Sequence, residues 1–204
     1  VFYFRTIIRS IPFFIMIVCA IGLMAMARFG NTMYGTPSLP ITYMLVDHIA
    51  GSFMIFLIII IIVYSGELLW KDISLRFAPI MDASPLSGNQ MVFSKFSAMV
   101  LAEMILMLVI ILTGMTIQVI SGFFEFDLMV YIKSLLLNTF PYMLLITMLT
   151  FFIHTLAGNK FLGHGLVVLF YALTITSGRL GLQHILFKYG SSISESYSGM
   201  NGFQ

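Results

Sequence analysis

The stretch FMIFLIIIIIVY, residues 53–64, holds no charged side chain and is almost pure isoleucine from Ile58 to Val63. It lies within one of five apolar segments, at about 11–27, 43–65, 98–120, 135–157 and 164–178. A membrane span takes about 20 mainly apolar residues. The first four segments meet that length. The fifth is short as a pure apolar run, but His164 and Arg179 bracket it, and snorkelling side chains can cover such a deficit. Runs this continuous predict helices; barrel strands would alternate over about ten residues. The expected fold class is therefore all-α, a polytopic membrane helix bundle. Composition agrees: 60% of residues are hydrophobic and 9% charged, where a soluble domain carries about 25% charge.

A net charge of +2, with no basic block, excludes nucleic acid as a partner. Cys19 is the only cysteine, which excludes an intrachain disulfide framework and a cysteine-rich zinc site. Its expected role is that of a small buried hydrophobe. The chain reads as a piece open at both ends, and its first apolar segment reads as a retained span. Lys and Arg near the span ends orient the chain. Arg5 and Arg9 precede the first span, which puts the N-terminal side in the cytoplasm together with 66–97 and the turn 158–163. The segments 28–42, 121–134 and 179–204 are then outside, although Arg28 and Arg179 oppose this bias. The stretch 122–134 mixes aromatic and acidic residues and predicts an amphipathic re-entrant or interfacial helix feeding the fourth span.

The densest charge, the only tryptophan and two prolines fall together in ELLWKDISLRFAPIMDASPLS, residues 67–87. Taken as a helix, 67–78 puts Leu68, Leu69, Ile73 and Phe77 on one face with Trp70 at its edge. Glu67, Lys71, Asp72 and Arg76 fall on the other side. Pro79 ends or kinks the helix, and Pro85 marks the turn before the next one. The expectation is a short amphipathic helix along the cytoplasmic surface with Trp70 at headgroup level. Anionic lipid would select Lys and Arg alone, so the mixed charge fits a protein partner or an ordinary solvated connector.

The stretch YSGELLWKDISLRFAPIMDASPLSGNQMVFSKFSAMVLAE resembles the segment joining the second and third spans of type-2 ABC exporter permeases. Glu67, Lys71, Asp72, Arg76, Ala83-Ser84-Pro85 and Ser94-Lys95-Phe96 occupy the places of that family's motifs, and Pro79 departs from its helix. The resemblance implies one permease domain over 1–204, with 66–97 as a cytoplasmic coupling segment and 179–204 as the start of an outer loop. Five spans of six would be present, the sixth lying beyond Gln204. It implies an ABC ATPase subunit as partner, contacted by Glu67, Trp70, Lys71, Asp72 and Arg76, and a second permease unit forming a dimer. It also implies a bacterial inner-membrane location. The chain has no G-x-x-x-x-G-K-[ST] phosphate loop. ATP would thus bind the partner, and this chain would carry no cofactor and no catalytic residue of its own.

The stretch FFIHTLAGNKFLGHGLVVLFY and the YSGMNGF tail are also similar to bacterial permeases fused to a zinc aminopeptidase-like domain. No H-E-x-x-H occurs here, so no peptidase or metal role falls on these residues. In that alternative the spans anchor the peptidase domain. A further alternative is an ion-coupled transporter using Glu103, the one carboxylate well inside an apolar run. His154 and His164 lack the spacing of a helical metal pair and read as interfacial residues bracketing a turn with Lys160. The 16 Met form no spaced ligand set and read as packing. Gly22, Gly51 and Gly114 are expected at close helix contacts.

Overall fold

The fold comes from a computed structural model that describes residues 2–30, 32–33, 36–37, 40–75, 87–177, 184, 189–190, 197–198 and 202–203. It is helical apart from two antiparallel pairings of two residues each, Thr32–Met33 with Thr36–Pro37 and Tyr197–Ser198 with Gly202–Phe203. Helix α1 (Phe2–Ile8) and helix α2 (Ile11–Gly30) meet at a 52° bend. Ser10 starts α2 by accepting the Phe13 N–H at 3.4 Å, while Pro12 sits in the first turn, where its missing N–H is harmless.

Helix α3 spans Thr42–Ser74 and helix α4 spans Gly88–Ile120, 33 residues each. At 1.5 Å per residue each is about 50 Å long, well beyond the roughly 30 Å hydrocarbon core of a bilayer. Helix α4 opens with a reciprocal capping box between Ser87 and Gln90, which satisfies two orphan backbone donors. Helix α5 (Leu128–Tyr131), a π-helical stretch Ile132–Thr139 and helix α6 (Phe140–Leu156) run on as one span, Leu128–Leu156. Pro141 is the second residue after the π stretch. It cannot donate to a preceding carbonyl and its ring crowds that turn, and a widened helix accommodates both. Helix α7 (Lys160–Thr176) starts at Asn159, whose side chain accepts the Phe161 N–H at 2.8 Å.

Helix α3 is central, packing on α2, α4, α6 and α7, most extensively on α6. Its isoleucine run divides accordingly. Leu57, Ile58, Ile60, Ile61 and Ile62 are buried, and Ile55, Ile59 and Val63 form an outward stripe at i, i+4, i+8. Among the described residues, three helices are long and apolar enough to cross a membrane, or four if α1 and α2 make one bent span. The fifth expected span is the 17-residue α7, an apolar helix below that length.

Several expectations are corrected. Residues 67–74 are helical, but as the last two turns of α3 rather than as a separate surface element, because nothing before Leu75 interrupts the backbone ladder. Arg76, the Pro79 break and the turn at Ala83-Ser84-Pro85 lie outside the described residues, as does most of 179–204. Residues 123–127 are not helical; only from Leu128 does the chain coil, with Asp127 accepting the Val130 N–H. Cys19 is exposed on α2, on the surface that lipid would cover, and not buried. Gly114 does mark a close contact, since a Cβ there would come within 2.8 Å of the Tyr131 hydroxyl, but Gly22 and Gly51 face open space.

Candidate functional site

Four other helices meet the last two turns of α3, each through a polar contact. Glu67 pairs with Lys160 at the start of α7. Trp70 donates its indole N–H to His154 Nδ1 near the end of α6, at 3.2 Å. Asp72 forms an ion pair with Lys95 on α4 at 2.6 Å and accepts the Tyr3 hydroxyl of α1 at 3.1 Å. Lys95 also donates to the Leu69 carbonyl at 3.4 Å and lies 5.5 Å from the Tyr3 ring centre. Spacing explains the convergence. Residues 67, 70, 71 and 74 share one helical stripe, and 65, 69 and 72 the next, so two turns address several neighbours.

The two ion pairs differ in kind. The Lys95 and Asp72 side chains are 7% and 15% exposed, and those of Lys160 and Glu67 are 33% and 53% exposed. A water-exposed pair contributes little, about 0–1 kcal/mol. Removing one partner of a buried pair leaves an uncompensated charge and costs about 3–5 kcal/mol. The Asp72–Lys95–Tyr3 cluster is therefore the structural lock at this end of the bundle.

Next to it, the His154 and His164 rings pack edge to face with centroids 4.7 Å apart. His154 is buried and His164 half-buried. Two glycines make the room: a Cβ on Gly66 would strike both rings, and one on Gly163 would strike His154. The two histidines do more than bracket a turn, because they fill the junction of α3, α6 and α7. Sequence alone could not assign this, since the partners are 84 and 10 residues from His154. The small residues Gly66 and Gly163 were the available signal. Among the described residues, no group of three or more His, Cys, Asp or Glu side chains could hold a metal ion.

The nominated contact residues thus separate. Asp72 and Trp70 make their polar contacts with neighbouring helices, which corrects the expected placement of Asp72 on an outer polar face. Glu67 is exposed and paired, and Lys71 is half-buried. Ile73, expected on the apolar buried face, is exposed.

Deeper in the bundle Glu103 is 1% exposed and accepts the Thr147 hydroxyl of α6 through Oε1. Its Oε2, the Ser65 hydroxyl and His154 Nε2 are buried without a hydrogen-bond partner. At the far end Gln118 anchors a network that sequence reasoning missed. Its amide donates to the Pro40 carbonyl and Thr42 hydroxyl, both at 3.0 Å, and its carbonyl accepts the Tyr131 hydroxyl at 2.9 Å. A lone amide inside an apolar run was the readable signal.

No protein-family model, curated protein or solved structure matches the chain.

Proposed function

We propose that this chain is the membrane-spanning subunit of an ATP-driven exporter of the type-2 ABC kind. It would work in a bacterial inner membrane as a dimer of permease units, with its N-terminal side cytoplasmic and with separate ATPase subunits docked beneath. The observation that supports the reading most is the convergence on Glu67–Asp72. Two turns of one helix are keyed to α1, α4, α6 and α7. A displacement delivered to the residues that follow α3 passes through these contacts into the whole bundle, as a switch between inward and outward access requires. In this reading Asp72 and Trp70 transmit motion, and docking falls to Lys71, Arg76 and the charged stretch beyond.

The test is purification of the full-length protein from native membranes in mild detergent, with mass spectrometry of what accompanies it. The parent is expected to bring down a subunit carrying a G-x-x-x-x-G-K-[ST] loop, and an Arg76→Glu/Asp82→Arg variant to lose it. If neither preparation contains such a subunit, under conditions that hold known exporter complexes together, the reading fails.

A second reading rests on Glu103, whose Oε2 is buried without a partner. An ion-coupled transporter would use this group as its ion site. It requires transport that persists without ATP and disappears in Glu103→Gln.

A further inference from the structure

Hydroxyls inside the helices of this bundle commonly give their proton to the carbonyl one turn back, as Thr113, Thr116, Thr150 and Thr174 do. Two fully buried hydroxyls depart from that habit. Thr147 donates to Glu103 Oε1 instead. Ser65 makes no hydrogen bond among the described residues, and neither does Glu103 Oε2.

Helix register brings these three residues to one place. Helices α3 and α4 run antiparallel, with Asp72 against Lys95 at one end and Thr42 against Gln118 at the other. Between those contacts Ser65 falls within one turn of Glu103. Helix α3 runs parallel to the Leu128–Leu156 span, with Thr42 accepting the Asp127 N–H at its start and Trp70 bonded to His154 near its end. On that register Ser65 stands at the height of Thr147 and Thr150. Ser65 also lies two turns before Asp72, and so on the side of α3 that meets α4.

An ionised Glu103 has no counter-charge here. Lys95, two turns away along α4, is paired with Asp72, beyond which lies Tyr3, and Lys160 is paired with Glu67. His154, two turns along α6, is bonded to Trp70. A bare charge at this depth is costly, and a proton removes it. A hard metal cation would need about six oxygens. The junction offers one free carboxylate oxygen and the hydroxyls of Ser65, Thr147 and Thr150. Ser65 suits both states of the acid. Against an ionised Glu103 it donates to Oε2, as Thr147 donates to Oε1. Against a protonated Glu103 it accepts the Oε2 proton and turns its own proton to the Ile61 carbonyl one turn back. Neither state leaves Ser65 or Oε2 without a partner.

We infer that Glu103 and Ser65 form an internal proton-exchange site, with one proton held between Oε2 and the Ser65 hydroxyl. Loading takes the proton from a hydronium ion, forms the Oε2–H bond and releases one water; unloading reverses each step. The inference rests on the ion-coupled reading for its use, and names the ion as a proton and Ser65 as its second holder.

Infrared difference spectroscopy of the full chain reconstituted in lipid tests the site. Stepping the pH of the buffer should move one buried carboxyl between its acid carbonyl band and its carboxylate bands, and Glu103→Gln should remove that signal. Ser65→Ala takes away the acceptor, so the acid band should shift to higher frequency, and Ser65→Thr should bring it back. No band that depends on Glu103, or a band indifferent to Ser65→Ala, overturns the inference. Loss of the acid band when sodium chloride replaces choline chloride at constant pH assigns the site to a metal cation and overturns it as well. Melting temperatures are read beside the spectra, and Ser65→Ala, which removes a single heavy atom, carries the test where Glu103→Gln melts early. Proton uptake by proteoliposomes under an imposed potential, followed with an entrapped pH dye, is scored separately. A band that behaves as expected in vesicles that take up no protons supports the site and sinks the ion-coupled reading.

Discussion

Replacing Lys95 by Met is the sharpest test of how this bundle is held. The side chain keeps its length, so packing on the Tyr3 ring changes little, but the ammonium is gone. Asp72 then retains only the Tyr3 hydroxyl, 3.1 Å away, in a site where its side chain is 15% exposed. Breaking a buried pair from one side costs about 3–5 kcal/mol. The residual exposure of Asp72 argues for the lower end, about 3 kcal/mol. For a chain of this length that corresponds to a fall in Tm of roughly 6–12 °C. The double variant Asp72→Asn/Lys95→Met removes both charges and should recover most of the loss, giving a coupling of at least about 1.5 kcal/mol in a double-mutant cycle. Lys160→Ala is the internal comparison, since the pair it breaks is exposed and its loss should cost below about 1 kcal/mol. The assay is thermal unfolding of purified protein in one detergent, followed by intrinsic fluorescence; Trp70 is the only tryptophan. If Lys95→Met and Lys160→Ala lower Tm equally, or if the double variant loses the sum of its single variants, the buried lock does not exist as argued.

The remaining predictions follow from the same geometry. Gly66→Ala and Gly163→Ala push a methyl group into the histidine pair and should each destabilise by about 1–3 kcal/mol. Gly22→Ala, with open space around it, should be neutral or stabilising by up to about 1 kcal/mol, and melting curves separate the two classes. Trp70→Phe loses the bond to His154 and should cost about 1 kcal/mol. In an Asp72→Asn exporter complex the ATPase should still co-purify, while ATP-driven transport in proteoliposomes falls at least tenfold relative to ATP hydrolysis; retained coupling would remove Asp72 from transmission. Glu103→Gln preserves an acceptor for Thr147 and should cost below about 1.5 kcal/mol, with transport retained in the exporter reading and lost in the ion-coupled one.

The candidate site was legible only in part. The sequence marks 67–87 as anomalous because charge and tryptophan between apolar runs need no tertiary information to be noticed. It cannot say which way each charge faces. Asp72 and Lys71 are neighbours of opposite sign, and a helix turns about 100° between them. That rotation, with α4 packed on one side and the α1–α2 bend on the other, sends Asp72 to Lys95 and Lys71 to an opening between α1, α2 and α3. The amphipathic reading failed for Ile73 for the same reason. A polar-versus-apolar face assumes one buried side, and α3 is surrounded on several.

What the sequence determined by itself is the solvent and the backbone. Long uncharged runs suit a membrane interior, and burial in lipid compels helices, because every backbone N–H and C=O must be satisfied within the segment. Those constraints are local and one-dimensional, so one sequence suffices. Local chemistry also speaks: nothing before Leu75 interrupts α3, and Ser10 with Pro12 starts α2. Tertiary structure alone decided the pairings of Asp72 with Lys95, Trp70 with His154 and Glu103 with Thr147, across 23, 84 and 44 residues of chain. Such contacts depend on the rotation and height of each helix against its neighbours. In lipid no hydrophobic gradient sets those two quantities. Close packing around small residues such as Gly66, Gly114 and Gly163 and the need to satisfy each buried polar group set them instead.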